Sequence, residues 1–485
     1  MVQSKSVIKG IKWSAVSQFG RQMFQFFTTI ILARLLTPVD IGLAGMALLV
    51  IGFLNVFKDF GTSAAIIQKK EVTDRLLSSL FWFNMFLGIV LSSLMFIFAG
   101  FLSFIFGDLR LFPLFQVLSL IFVINSFGVV IQALLERRLA FSIIARIEVI
   151  STIISSFIGI CMAFSGFGVW SLVFQSLAAS MVSSSLLLIK GGWKPSLSFA
   201  YHDAVSVLNY SSNLTGFNVF NYFVRNADNF LIGKFLGAKE LGYYSLAYRI
   251  MLYPLQNLTA IIGRVMFPVF SKINEDNEHF KKVYVQMTSF IAICTFPLMM
   301  GIGVLSDKLI ISFFGVQWAD TAKILLFLAP VGLLQSVDAT TGIIFQAKGK
   351  TNWLFIWGVI TGVIFVPAYS VGLKWGVTGV ACSYLVAYLL IFYPALHFPF
   401  QLIKLKVGTF LKDLSGIFWI SLIMMVVLAL IRMVFSPFYQ TVNLSFLIVL
   451  GVLMYSLLIY RYKKEFLLKI LYMLINKNPQ SKQNK

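Results

Sequence analysis

The stretch SAVSQFGRQMFQFFTTIILARLLTPVDIG, residues Ser14 to Gly42, decides how the rest of the chain is read. At helical spacing Ser14, Gln18, Arg21, Gln25 and Thr28 step by four, three, four and three positions, which places them on one face. Phe24, Phe26, Phe27, Ile30, Ile31 and Leu32 cover the other faces. Such a helix stands in lipid only if its polar stripe looks into protein or a water-filled cavity, because hydrocarbon offers a polar side chain nothing to bond.

The pattern returns 200 residues later. Arg34, Leu36, Asp40, Ile41 and Gly42 become Lys234, Leu236, Glu240, Leu241 and Gly242, which keeps a basic, apolar, acidic, apolar, glycine order. Gln18, Arg21, Gln25 and Thr28 become Asn218, Asn221, Arg225 and Asp228, and only Ser14 maps to an apolar residue, Leu214. Two half-chains with the same start and the same polar face predict a duplicated membrane bundle around a polar space.

Composition agrees. The 485 residues are 59% hydrophobic and only 12% charged, with a mean hydropathy of +0.88, whereas soluble domains carry roughly 25% charged residues. The fold class expected is an all-α polytopic membrane protein. Windows of about 20 apolar residues recur along nearly the whole chain, enough for about fourteen transmembrane helices. The second is expected to run from about Ile41 to Gln68 and to contain Lys58-Asp59, and the tenth from about Ala322 to Ala347. The polar connection Lys190 to Asp203 separates an amino-terminal lobe, residues 1–200, from a second lobe, residues 201–402. Residues 403–485 add two helices without a polar stripe, which should pack peripherally, and a basic tail.

The formal charge of +21 would suggest nucleic acid in a soluble protein. Here most Lys and Arg fall in loops on one side, which is the positive-inside bias and places both termini in the cytoplasm. Cys161, Cys294 and Cys382 lie in different apolar segments, and His202, His279 and His397 are scattered, so neither a metal site nor a cofactor is expected. Lys5, Lys9 and Lys12 lead directly into the striped span with no small-residue cleavage site, so the first helix is expected to be retained.

The ionisable residues singled out within the spans are Arg21, Lys58, Asp59, Arg225, Asp228, Arg249 and Asp338. Each costs about 2.5–3.5 kcal/mol at mid-bilayer on insertion scales, so each needs a reason. The basic excess favours an anionic ligand, and arginine's planar fork suits phosphate oxygens. Arg21 either bonds a neighbouring helix or faces the cavity. Arg225 and Asp228, three apart, either neutralise each other or form a bond that breaks as Asp228 takes a proton. Lys58 is the better cavity candidate of its adjacent pair, which otherwise reaches the interface from the inner end of its span; Arg249 either faces the cavity or reaches for headgroups, and Asp338 is either an ion-coupling acid or a buried neutral one. Gln18, Gln25, Asn218 and Asn221 would meet sugar hydroxyls or solvate the path.

Energising and hydrolytic motifs are missing. Gly349-Lys350-Thr351 resembles the end of a phosphate loop, but Ile344 stands where the first glycine belongs. No HExxH or GxSxG occurs, so an enzyme is not expected.

Three runs carry a family resemblance: Leu32-Ala33-Arg34-Leu35-Leu36-Thr37-Pro38 with Gly42; Gly166-Phe167-Gly168-Val169-Trp170-Ser171-Leu172-Val173; and Leu134-Leu135-Glu136-Arg137 before Phe141. They resemble the polysaccharide exporters (Wzx-type and teichuronic-acid exporters) of the multidrug/oligosaccharidyl-lipid/polysaccharide superfamily. The resemblance implies two six-helix lobes plus helices thirteen and fourteen in the bacterial cytoplasmic membrane. It also implies a polyprenyl-pyrophosphate-linked oligosaccharide turned from the inner to the outer leaflet, and cavity cations on the first, second and eighth helices, where Arg21, Lys58 and Arg249 lie. H+ or Na+ coupling through Asp228 or Asp338, and a glycan polymerase and glycosyltransferases as partners, complete the expectation. The rivals are a multidrug or cation antiporter of the same fold and a membrane-embedded glycan-assembly enzyme.

Overall fold

A computed structural model describes residues 20–58, 61–69, 71–434 and 440–475, and every regular element in them is helical. In chain order these are α1 (20–35), α2 (Pro38–Asn55), α3 (Thr62–Gln68), α4 (Asp74–Ile97), α5 (Ala99–Phe106), α6 (Leu111–Arg137), α7 (Phe141–Phe164) and α8 (Trp170–Lys190). Then come α9 (Tyr201–Leu236), α10 (Ala238–Lys272), α11 (Asn277–Val304), α12 (Ser306–Phe314), α13 (Ala319–Asp338) and α14 (Thr341–Ala347). The last are α15 (Thr351–Gly372), α16 (Gly376–Leu402), α17 (Val407–Val434) and α18 (Gln440–Ile475). Among the described residues, ten helical runs are long and apolar enough to cross a bilayer, and one of them, Asn352–Leu402, holds both α15 and α16.

Contacts group the chain into two compact units. The first comprises Met1–Ala247, Phe313–Ile324 and Phe355–Tyr384. Its centre is α6, which touches α2, α3, α4, α5, α7 and α8. One face of α6 packs Val130, Ala133 and Leu134 against Leu77, Leu80 and Phe81 of α4 and Ile66 of α3. Another packs Ile131 and Leu135 against Ile147 of α7 and Leu187 of α8. A helix apolar on nearly every side belongs at the centre of a bundle.

The second unit comprises Tyr248–Ser312, Leu325–Leu354 and Leu385–Lys485. Here α11 supplies Phe280, Tyr284 and Ile291 to a core shared with Phe410, Leu414 and Ile417 of α17 and Tyr455 of α18. The Tyr455 hydroxyl donates to the Ile293 carbonyl at 2.8 Å. Arg432 closes the far end of α17 by donating to the Val304 carbonyl at 2.6 Å and to Asp307 at 2.5 Å. The two last helices therefore bury one face against α11, while Trp419, Leu430 and Leu457 on other faces stay exposed.

The motif Thr37-Pro38-Val39-Asp40 is a capping box. The Thr37 hydroxyl accepts from the Asp40 amide at 3.2 Å, and the Asp40 carboxylate accepts from the Thr37 amide at 2.9 Å. Two otherwise orphaned donors are thus satisfied, and Pro38 supplies a preset φ where its missing N–H costs nothing. The second quoted motif comes to the same place, since Gly168 lies against the Asp40 carboxylate.

The echo of 200 residues is realised as a reciprocal contact within the first unit. A Cβ on Gly42 would overlap the backbone carbonyl of Ala238, and a Cβ on Gly242 would overlap that of Pro38. Positions 38 and 42 of α2 therefore meet 242 and 238 of α10 in reverse order, as related helix starts do when they cross about a local two-fold axis. Only glycine permits backbones so close.

Two spans differ from expectation. The second is interrupted, with α2 ending at Asn55 and α3 opening at Thr62 behind Gly61 in the left-handed region (φ 77°). The tenth is interrupted between Asp338 and Thr341. Each break falls beside a charge already conspicuous in an apolar run, Lys58 in one case and Asp338 in the other.

Gly242→Ala should force the α2–α10 crossing apart and cost about 1–3 kcal/mol, read as a lowered thermal midpoint of the detergent-solubilised protein. Gly216→Ala on α9, where nothing lies within 4 Å of the added carbon, should leave the midpoint unchanged or slightly raised.

Candidate functional site

The break in the second span opens a polar pocket of about 550 Å³ inside the first unit. Asn55 and Lys58 reach it from the end of α2, Ser63 from α3, Gln132 and Glu136 from α6, and Asn218 from α9. The pocket lies beside the break, between the end of α2, the start of α3 and the last turns of α6.

The walls are fastened individually. Arg137 donates to the Ile66 and Lys69 carbonyls, both at 2.5 Å, and so ties the end of α3 to α6. Asn84 of α4 donates to the Thr62 hydroxyl at 3.0 Å and holds the start of α3. Tyr222 of α9 donates to the Leu49 carbonyl of α2 at 2.7 Å, and its ring lies against Gly52, where a side chain would collide with it. These bonds tie α3 to α4 and α6, and α9 to α2. The third quoted motif thus divides its labour, with Arg137 supporting the wall and Glu136 facing the pocket.

The structure gathers some of the residues singled out by sequence and separates others. Lys58 and Asn218 share the pocket. Arg21, half-buried on α1, lies 3.8 Å from the carboxylate of Glu148 on α7. On the same face Thr28 is buried and donates back to the Phe24 carbonyl, while Gln25 is exposed. Gln18 and Asp59 lie outside the described residues. Asn221 is half-buried and Arg225 exposed on α9. Arg249 is exposed on α10 and belongs to the second unit.

The spacing that allowed an Arg225–Asp228 pair is not used. Among the described residues the two form no ion pair. Asp228 is buried and accepts from the Tyr244 hydroxyl at 2.8 Å and from the Asn229 backbone and side-chain amides at 2.7 and 3.0 Å. In the second unit Asp338 has a similar partner: the Tyr388 hydroxyl donates to it at 2.9 Å, and Thr341 lies at 3.4 Å. Beside it the Tyr284 and Thr340 hydroxyls bond each other at 2.8 Å. Both acids sit among neutral donors, an arrangement that holds a carboxylate or releases it as a neutral acid without a counter-cation having to move.

Sequence reading passed over several participants. Glu148 is an acid within an apolar helix and could have been flagged by the rule that flagged Asp338. Glu136 stands in the charged run Glu136-Arg137-Arg138, and α6 continues through Arg137. Nothing in the sequence distinguishes Tyr244 and Tyr388 from the chain's other tyrosines. A hollow of about 710 Å³ in the second unit, lined by charged residues such as Asp276, Lys282 and Asp413, contains none of the residues singled out.

Among the described residues, ten helical runs long and apolar enough to cross a bilayer, with a polar pocket of about 550 Å³ between helices, define a multi-pass membrane protein. The fold is similar to that of a solved structure described as lipid II flippase MurJ in an inward closed conformation, with a TM-score of 0.77, 18% identity, and coverage of 94% of this chain and 99% of that one. Among curated relatives, lipopolysaccharide biosynthesis protein WzxC of Escherichia coli (strain K12) is 30% identical over 79% of this chain and 78% of its own length. Teichuronic acid biosynthesis protein TuaB of Bacillus subtilis (strain 168) is 27% identical over 76% of each chain. The family described as polysaccharide biosynthesis protein matches residues 31–323. This chain belongs to that family, the one to which its quoted motifs pointed.

Tyr244→Phe should leave a buried carboxylate oxygen of Asp228 short of its donor and cost about 1–3 kcal/mol, seen as a lowered thermal midpoint. Replacing Asp228 by Asn in the same variant should recover part of the loss, because the uncompensated charge is then gone.

Proposed function

We propose that this protein is a flippase that moves a polyprenyl-pyrophosphate-linked oligosaccharide from the inner to the outer leaflet of the bacterial cytoplasmic membrane by alternating access. The lobes are residues 1–200 and 201–402, residues 403–485 form the additional helices and tail, and both termini are cytoplasmic. The observation that carries the reading is the amide-lined pocket with Lys58 at the break in the second span. Membership in the polysaccharide biosynthesis family supports it.

The energetic problem is the headgroup. A pyrophosphate with several sugars cannot enter hydrocarbon without losing hydration worth several kcal/mol, and donors fixed in the protein replace that water. Lys58, Arg21, Arg225 and Arg249 supply the cations, and Asn218, Asn221, Gln18 and Gln25 meet hydroxyls. Arg225 suits the phosphate role, being exposed and without an ion pair among the described residues. The polyprenyl tail stays in lipid throughout. Asp228 and Asp338, each held by a tyrosine, are the candidates for coupling to a H+ or Na+ gradient. No bond in the lipid-linked sugar is made or broken, so the protein acts as a transporter between the glycosyltransferases that build the unit and the polymerase that consumes it.

The test is reconstitution. Full-length protein in proteoliposomes should move an undecaprenyl-pyrophosphate-linked oligosaccharide to the opposite leaflet, scored by access of an impermeant glycosidase. Arg225→Ala should slow this by about ten- to a hundredfold, the loss of one or two charge-assisted hydrogen bonds. A chemically altered lipid-linked sugar instead of a relocated one would favour an enzyme, and efflux of organic cations with no lipid movement would favour an antiporter.

A further inference from the structure

The end of α1 leaves backbone carbonyls to be satisfied, as every helix end does. The Thr37 amide, which would bond Ala33 in a longer helix, is given to Asp40 at 2.9 Å, and Pro38, which would bond Arg34, has no N–H. Replacement donors come from far along the chain. The Trp318 indole N–H donates to the Ala33 carbonyl at 2.7 Å, and the Gln317 side-chain amide donates to the same oxygen at 3.2 Å. In return the Arg34 side chain donates to the carbonyl of Phe313, in the last turn of α12, at 2.8 Å. Each of two helix ends thus caps the other, and a guanidinium at helix C-termini also suits their dipoles.

The joint is buried and shaped. Trp318 and Ala33 are fully buried, and Tyr243 of α10 meets the Trp318 ring edge-on with 6.0 Å between centroids. Gly315 takes a positive φ of 101° just past α12, and a Cβ there would overlap the Gln317 side-chain amide that reaches Ala33. Where the joint lies in the chain gives it a meaning beyond packing. Ala33 and Arg34 belong to the first lobe of the sequence and Phe313, Gln317 and Trp318 to the second, yet Phe313–Ile324 packs into the first compact unit. Bonds within a lobe can persist while two lobes rock, whereas bonds from one lobe to the other have to open when the lobes part at that end. Opening them is cheap, because carbonyls freed at a helix end beside an opened cavity are taken up by water.

We propose that this reciprocal cap is the latch of the protein's outer gate: Arg34, Gln317 and Trp318 are positioning residues that hold the lobes together at the end of α1, and their bonds break as the lobes part there to release the lipid-linked sugar. The proposal rests on the flippase reading for the movement of two lobes and goes beyond it in naming the groups that set how readily the gate opens.

The experiment reads the opening without substrate. Full-length protein with Cys161, Cys294 and Cys382 replaced carries spin labels at Leu109→Cys, between α5 and α6 in the first lobe, and at Lys323→Cys, in the first turns of α13 in the second, both exposed positions. Pulsed electron-paramagnetic-resonance distances in nanodiscs should be dominated by the shorter of two separations. Trp318→Phe, which keeps a ring and removes the donor, and Arg34→Met, which keeps the stem and removes the charge, should each raise the ratio of long to short separations about three- to tenfold, the loss of one hydrogen bond. Trp82→Phe removes a matching indole bond, to the Ser196 carbonyl at 2.9 Å, that stays within the first lobe, and should leave the ratio as it was. A folded Trp318→Phe or Arg34→Met whose ratio stays at the starting value, or a Trp82→Phe whose ratio rises as theirs does, overturns the proposal; if one latch variant does not fold, the other decides. The expected shifts in a protein that moves no lipid in proteoliposomes would support the latch and sink the flippase reading, whereas lipid movement with unchanged distances would sink the latch alone.

Discussion

Hydrocarbon leaves no backbone amide or carbonyl a partner outside the protein, and that constraint governs this molecule. A span can stop being helical inside the bilayer only where side chains or water receive the groups it releases. The second span stops at Asn55 and resumes at Thr62; the Val56, Phe57 and Lys58 amides turn back to the Phe53, Leu54 and Asn55 carbonyls, and a polar pocket walled by α2, α3, α6 and α9 lies beside the break. The tenth stops at Asp338, whose carboxylate is bonded by Tyr388 and approached by Thr341. The charges that made these spans look imperfect are the features around which the breaks are organised.

The motifs that carry the family likeness turn out to be joints. Thr37 and Asp40 close the start of α2 with a capping box, and Gly168 lies against the same carboxylate. Arg137 clamps α3 through two carbonyls, and its neighbour Glu136 looks into the pocket. Gly42 and Gly242 let α2 and α10 cross with backbones in contact. These contacts fix where the side chains that line the pocket stand.

Much of this was legible beforehand because period and charge are properties of a single helix. The stripe on α1, the echo on α9 and the isolated charges at Lys58 and Asp338 could all be read from spacing alone. Partners could not. Asp228 lies three residues from Arg225, but its bonds go to Tyr244 on the next helix and to Asn229, a choice set by tertiary packing. Arg21 lies 3.8 Å from Glu148 on α7, a helix whose own acid had been passed over. The helix breaks escaped because an apolar window averages across a few residues, whereas the break depends on Gly61 adopting a positive φ and on walls contributed by distant segments. Glu136 stands in the charged run Glu136-Arg137-Arg138, whose composition is that of a span's end, whereas the pocket it lines is formed by segments distant in sequence.

The central claim is that the space at the broken second span is wet and lined by the polar groups named, while the apolar flanks meet lipid. With Cys161, Cys294 and Cys382 replaced, single cysteines placed at Gln132 and Asn218 can be challenged in native membranes with a charged, water-soluble maleimide, alongside one at Phe86, which is apolar and exposed on α4. The account predicts rapid modification at Gln132 and Asn218 and almost none at Phe86. Cysteines at the two pocket positions that stay as unreactive as the one at Phe86 would contradict it.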